Sequence, residues 1–148
     1  MQNAFDSADK ATILVVDDSP DTRNLIVTLL ENDYKVIATN NGEDALRLAQ
    51  SNTPPDLIML DIMMPDVSGY DVCKQLKTDS RTCNIPVIFI SAMAGEGNEA
   101  QGRALGAVGF LAKPLDPRDV VTQVKEYFAL RQKHRELEAL NKLTGPIK

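Results

Sequence analysis

The chain has no tryptophan, only 5% aromatic residues, two cysteines and no long apolar run. Its longest apolar stretches, Ile13–Val16 and Val87–Ile90, are strand-sized, so no membrane span is expected. Cys73 and Cys83 are too few for a disulfide scaffold and fit a reducing compartment. The opening MQNAFDSADK has no basic segment followed by an apolar one, so a secretory signal is not expected and a cytoplasmic location is. Positive charge is also short. Sixteen Lys and Arg against 21 Asp and Glu give a net charge of −5, which opposes direct binding to nucleic acid or to an anionic membrane. What is present is enough for one globular domain: 148 residues, 43% of them hydrophobic, can bury a core that a disordered chain could not.

Apolar runs alternate with amphipathic ones along the chain. Thr12–Val16, Lys35–Thr39, Asp56–Leu60, Pro86–Ile90 and Ala107–Ala112 are short and rich in β-branched residues. Four are nearly continuous in apolar character, as expected of strands covered on both faces in a parallel sheet. The second, KVIAT, is more mixed and is expected at a sheet edge. Between them, Ser19-Pro20 offers an N-cap and a first-turn proline, Asn41 and Ser68 cap two further helices, and Asn98–Leu105 reads as a weaker fourth. Asp116-Pro117 starts a last helix that runs to about Leu143. Residues 1–10 read as a flexible polar leader, 11–130 as the domain, and 131–148 as a helical extension or linker. Five βα units in strict alternation predict an α/β fold: a doubly wound, three-layer sandwich on a five-stranded parallel sheet, flavodoxin-like, in the order 2-1-3-4-5.

In such sheets, ligands sit beyond the carboxyl ends of the strands. The first strand ends in Asp17-Asp18, the third in Asp61, the fourth in Ser91 and the fifth in Lys113-Pro114. With strands 1 and 3 adjacent, three carboxylates converge, and like charges raise one another's pKa unless a cation neutralises them. All-oxygen ligation suits a hard divalent ion such as Mg²⁺. Lys113 and the Ser91 hydroxyl approach from the other side, an arrangement suited to a phosphoryl group. Taken singly, Asp17 and Asp18 could be helix caps, Asp61 and Ser91 loop residues and Lys113 a solvated lysine. Their shared place at one sheet edge favours the site.

ILVVDDSPDTR (Ile13–Arg23), PDLIMLDIMMPDVSGYDVCKQLK (Pro55–Lys77), IPVIFISAMA (Ile85–Ala94) and GAVGFLAKPLDPRDV (Gly106–Val120) together resemble the receiver domain of bacterial two-component response regulators. The resemblance implies that Asp61 is the phosphoacceptor, and that Asp17, Asp18, Asp61 and the backbone carbonyl of Met63 hold Mg²⁺, with Mn²⁺ as a substitute. It implies that Ser91 and Lys113 contact the phosphoryl group, that Ser91 and Phe110 form the switch pair, and that the Lys113–Pro114 bond is cis. Pro65 and Gly69 match the loop after the acceptor strand. Met63 and Met93 match the positions flanking the path of the attacking water; both are apolar, so either the phosphorylated state is long-lived or the two side chains merely line the rim.

Other readings fit less well. A haloacid-dehalogenase-type phosphatase needs a second acid two residues after the nucleophile, where this chain has Met63. A flavodoxin needs a hydroxyl- and glycine-rich loop where this chain has the acidic DDSPD. A pure interaction module would have no use for the full set of site residues. The expected function is a phosphorylation-activated switch rather than an enzyme. A sensor histidine kinase or a histidine phosphotransfer domain would donate to Asp61, and the face made by the fourth helix, fifth strand and fifth helix would change to control an output domain or partner. Lys113, at a strand end, is expected to be exposed and to matter little for stability. Leu130 and Leu137, one heptad apart with Leu140 nearby, suit either a short parallel coiled coil or a signalling helix leading to another domain, so a homodimer through that face and the C-terminal helix is one of two expectations.

Overall fold

The computed structural model describes residues 10–92 and 96–144; Met93 and all but the last residue of the expected leader lie outside them. Five strands run β1 (Thr12–Val16), β2 (Lys35–Thr39), β3 (Leu57–Asp61), β4 (Val87–Ser91) and β5 (Gly109–Ala112). Helices α1 (Pro20–Leu30), α2 (Gly42–Ala49), α3 (Gly69–Thr78), α4 (Glu96–Ala104) and α5 (Pro117–Thr144) follow them in turn. All pairings are parallel and the order is β2-β1-β3-β4-β5. The mixed strand KVIAT is at an edge, as its composition predicts.

Side chains alternate across the sheet and bury two cores. Ile13, Val15, Leu57, Met59, Ile88 and Ile90 pack with Ile26 and Leu30 of α1 and Val120 and Val124 of α5. Leu14, Val16, Ile58, Leu60, Val87 and Phe89 pack with Ala45 and Ala49 of α2 and Val72 and Leu76 of α3. Every residue of β3 and β4 is buried, which is why these runs carry no polar alternation. Helix starts follow the local chemistry. The side chains of Ser19, Asn41 and Ser68 accept from the backbone N–H of Thr22, Asp44 and Tyr70, satisfying donors that the first turn leaves unpaired.

The ends of two central strands differ from the sequence reading by one residue. β3 spans Leu57–Asp61 rather than Asp56–Leu60, because Asp56 turns its Oδ2 to accept from the N–H of Thr12. β4 begins after Pro86, which has no N–H to give the ladder. Asp61 and Ser91 are therefore the last residues of their strands, held by the sheet itself. β5 is shorter than expected, starting at Gly109, and α4 begins at Glu96.

Candidate functional site

At the carboxyl edge of the sheet, Asp17 follows β1 and Asp61 closes β3, and both are buried. The backbone fixes them. Asp17 N–H donates to the Thr39 carbonyl of β2 (3.1 Å), and its own carbonyl accepts from the Arg23 guanidinium (2.7 Å). Asp17 Oδ1 accepts from the N–H of Ser19 (2.8 Å), and Asp61 Oδ1 from the N–H of Met63 (3.2 Å). Ligand oxygens of Asp17, Asp18 and Asp61 all lie within 4.8 Å of one another, with Asp18 exposed at the mouth.

Lys113 reaches this cluster from the end of β5, its backbone N–H donating to the carbonyl of Ser91 (2.8 Å). Its ammonium donates to Asp17 Oδ1 at 3.3 Å and lies 3.0 Å from Asp17 Oδ2 and 3.5 Å from Asp61 Oδ2. The expectation of an exposed lysine is wrong: the side chain keeps only 21% of its surface, because two buried carboxylates draw it inward. Removing it would strand their charge. The Lys113–Pro114 peptide is cis.

One ammonium does not balance this cluster. Burial, then the neighbouring Asp17 charge, pushes the Asp61 carboxyl up to about 7, and Lys113 offsets only part of that. Burial alone would lower the Lys113 pKa, but the hydrogen bond and charge of Asp17, helped by Asp61, hold it above its ordinary value. Asp17 Oδ2 and Asp61 Oδ2 are buried and accept no hydrogen bond. Two buried, unsatisfied carboxylate oxygens beside a third carboxylate fit a hard, oxygen-seeking cation. The donor set therefore fits Mg²⁺.

Ser91 is fully buried at the end of β4. Met63 is 56% exposed in the loop after β3. Phe110 is placed apart from the carboxylates: it pairs with Phe89 across β4 and β5 and is half-buried against α4. A Cβ on Gly102 of α4 would meet Phe89 Cδ2 at 2.9 Å and Phe110 Cδ2 at 3.7 Å, so glycine lets that helix lie close over both rings. Gly69 plays the same part at the centre of the site, where a Cβ would overlap the Asp61 carbonyl oxygen. The sequence reading missed Arg23 and Thr39, which hold Asp17 by backbone contacts that no side-chain pattern announces. It also read Ser19 only as a cap. A cleft of about 660 Å³ between α2 and the loop before α3 borders the site through Asp18, but Asp66, Glu43 and Asp44 make it acidic and unsuited to an anion.

The response regulator receiver domain family matches residues 13–125. The chain belongs to that family. It is 38% identical over 141 residues to the response regulator PleD of Caulobacter vibrioides, covering 93% of this chain and 31% of that protein. It is 37% identical over 115 residues to the phosphate regulon transcriptional regulatory protein PhoB of Pseudomonas aeruginosa, covering 77% of this chain and 50% of that one. The chain thus spans a third to a half of the length of these two curated relatives. Among solved structures, the chemotaxis response regulator CheY4 of Vibrio cholerae superimposes with a TM-score of 0.73 at 28% identity, covering 79% of this chain and 98% of that one. Receiver domains of this family are regulatory, and the acidic pocket is present here as the Asp17, Asp18 and Asp61 cluster. Among the described residues no helix is long and apolar enough to cross a membrane.

Proposed function

We propose that this chain is a phosphorylation-activated switch in which Asp61 takes a phosphoryl group from a phosphohistidine of a sensor histidine kinase or a histidine phosphotransfer domain. The observation that carries this reading is Asp61 Oδ2, buried, accepting no hydrogen bond and 3.5 Å from the Lys113 ammonium. In the transfer, an Asp61 oxygen forms the new bond to phosphorus as the bond from phosphorus to the histidine nitrogen breaks, and that nitrogen keeps the electron pair. The nucleophile is an ionised carboxylate oxygen with a free lone pair: Oδ1 takes the N–H of Met63, whereas Oδ2 accepts no hydrogen bond.

Lys113 would turn from the two carboxylates to the incoming phosphoryl oxygens, supplying charge in a site already shielded from water. Asp17, Asp18, Asp61 and the carbonyl of Met63 would hold Mg²⁺ or Mn²⁺, which when bound would neutralise charge on phosphoryl oxygens. The Ser91 hydroxyl would bond the product, and Phe110 would follow it inward from its place against α4. That movement would alter the face formed by α4, β5 and α5, through which the chain would act on an output domain, another protein or a second copy of itself. Residues 11–130 would form the switch and 131–148 the helical link to its output. The chain would catalyse only its own phosphorylation and dephosphorylation. With a net charge of −5, direct contact with nucleic acid is left to other domains or partners.

Acetyl phosphate with Mg²⁺ tests the acceptor. Prompt intact-mass measurement is expected to show one phosphoryl group on the wild-type chain and none on Asp61→Asn. Labelling of Asp61→Asn at wild-type stoichiometry would overturn the assignment.

A further inference from the structure

Helix α5 is 28 residues long, and its core contacts are at its start, where Val120 and Val124 are fully buried. Arg131 ties the helix back to the domain: its guanidinium bonds Asp56 at 3.2 Å and lies over the Phe128 ring. Beyond it every side chain described, from Gln132 to Asn141, is exposed. Yet this outward face is not uniformly polar: Leu130 and Leu137 are 67% and 57% exposed. They are one heptad apart, two turns along one line of the helix, and His134 and Asn141 fall four residues after each on the same line.

We propose that this stripe forms a parallel, two-stranded coiled coil with a second copy of the same chain, with Leu130 and Leu137 at d and His134 and Asn141 at a. Charge selects the register and the partner. With leucines at d, Lys133 falls at g and Glu138 at the following e, so each Lys133 faces the Glu138 of the other chain, twice in the symmetric pair. Glu126 and Arg131 occupy the same relation one heptad earlier, although Arg131 is already engaged by Asp56. Asn141 at a is a residue type that favours two parallel strands by bonding its counterpart across the seam. The register with leucine at a instead brings the exposed Leu140 to d, but it also buries Lys133 at d, sets Glu136 opposite Asn141 and gives no charge pair. A seam this short would be marginal for an isolated peptide, but α5 is nucleated on the domain core, so the extension does not bear the cost of starting a helix.

The association needs no phosphoryl group, so it is tested without one and stands or falls apart from the role of Asp61. Sedimentation equilibrium of the full chain at low salt, across micromolar to sub-millimolar concentrations, compares wild type, Lys133→Glu, Glu138→Lys and the double exchange. Both substitutions are at exposed side chains that make no part of the core. Each single reversal puts like charges at both symmetric contacts and is expected to weaken dimerisation about five- to tenfold, and the double exchange to restore it. An antiparallel pair would set Arg131 against Glu138 and leave Lys133→Glu without effect. A monomeric wild type, a dimer indifferent to the single reversals, or a double exchange no better than the singles would each overturn the proposal.

Discussion

Lys113 Nζ lies closer to Asp17 Oδ2, at 3.0 Å, than to Asp61 Oδ2, at 3.5 Å. The single ammonium in this buried group thus compensates Asp17 first, and Asp61 is left with the uncompensated part of the charge. Burial first and the Asp17 charge second displace the Asp61 carboxyl upward to about 7, and Lys113 offsets only part of that.

A pH dependence follows, with a definite sign. In the folded chain Asp61 binds its proton up to about pH 7, whereas unfolded it releases it near 3.8. The folded state therefore holds the extra proton between those values, and stability falls as pH rises towards and through 7. Urea unfolding in chelator between pH 5 and 8 should show a loss on the order of 1–3 kcal/mol. Asp61→Asn should flatten this slope and be the more stable protein at pH 8. An unchanged slope in that variant would assign the titration elsewhere.

Mg²⁺ should reverse this behaviour. An ion held by the three carboxylates binds only the folded chain, so it should raise the unfolding midpoint at pH 8 and lower the titration of Asp61. Asp18 is exposed and makes no part of the core, so Asp18→Asn should fold normally yet bind Mg²⁺ more weakly by calorimetry, by about tenfold. Wild-type affinity in Asp18→Asn would remove that residue from the ligand set.

Lys113→Ala should cost stability as well as signalling. Cutting the ammonium leaves two buried carboxylates facing each other, a change worth about 3–5 kcal/mol when one partner of a buried pair is lost. Combining it with Asp17→Asn should recover much of that loss, because the second change removes the stranded charge. If the two effects simply add, the ion pair is not the source of the destabilisation.

The elements were legible because they depend on local signals, namely β-branched runs, caps such as Ser19 and Asn41, and strict βα alternation, while the ends of β3 and β4 moved by one residue at Asp56 and Pro86. The pairing within the site was less so. Nothing in the spacing of Asp17, Asp61 and Lys113 says that the lysine is drawn in to 21% exposure or that it favours Asp17, since both follow from how three separate loops fold back over one sheet edge. The same holds for Asp56, which reads as the first residue of a strand. Its carboxylate instead ties the start of β1 to Arg131 near the last core contact of α5, 75 residues later in the chain.

Gly69 links the helix lattice to the chemistry. Its N–H donates to the Ile62 carbonyl at 2.8 Å, drawing the first turn of α3 onto the end of β3. A Cβ there would overlap the Asp61 carbonyl oxygen and come within 2.9 Å of Asp61 C and Ile62 Cα, all backbone atoms that no rotamer change can clear. The restriction is one of space, since Gly69 is not among the residues with positive φ, whereas Gly106 sits at φ 95°. Gly69→Ala must therefore push α3 outward or shift Asp61, at about 1–3 kcal/mol. Because the shift acts on the acceptor strand, Gly69→Ala should also weaken Mg²⁺ binding. Gly106→Ala supplies the control: it should cost about 1 kcal/mol through its left-handed backbone and leave the metal site unchanged. Calorimetric Mg²⁺ titration of both folded variants separates the two effects. Equal Mg²⁺ affinity in Gly69→Ala and wild type would show that α3 alone yields and that Gly69 does not set the position of Asp61.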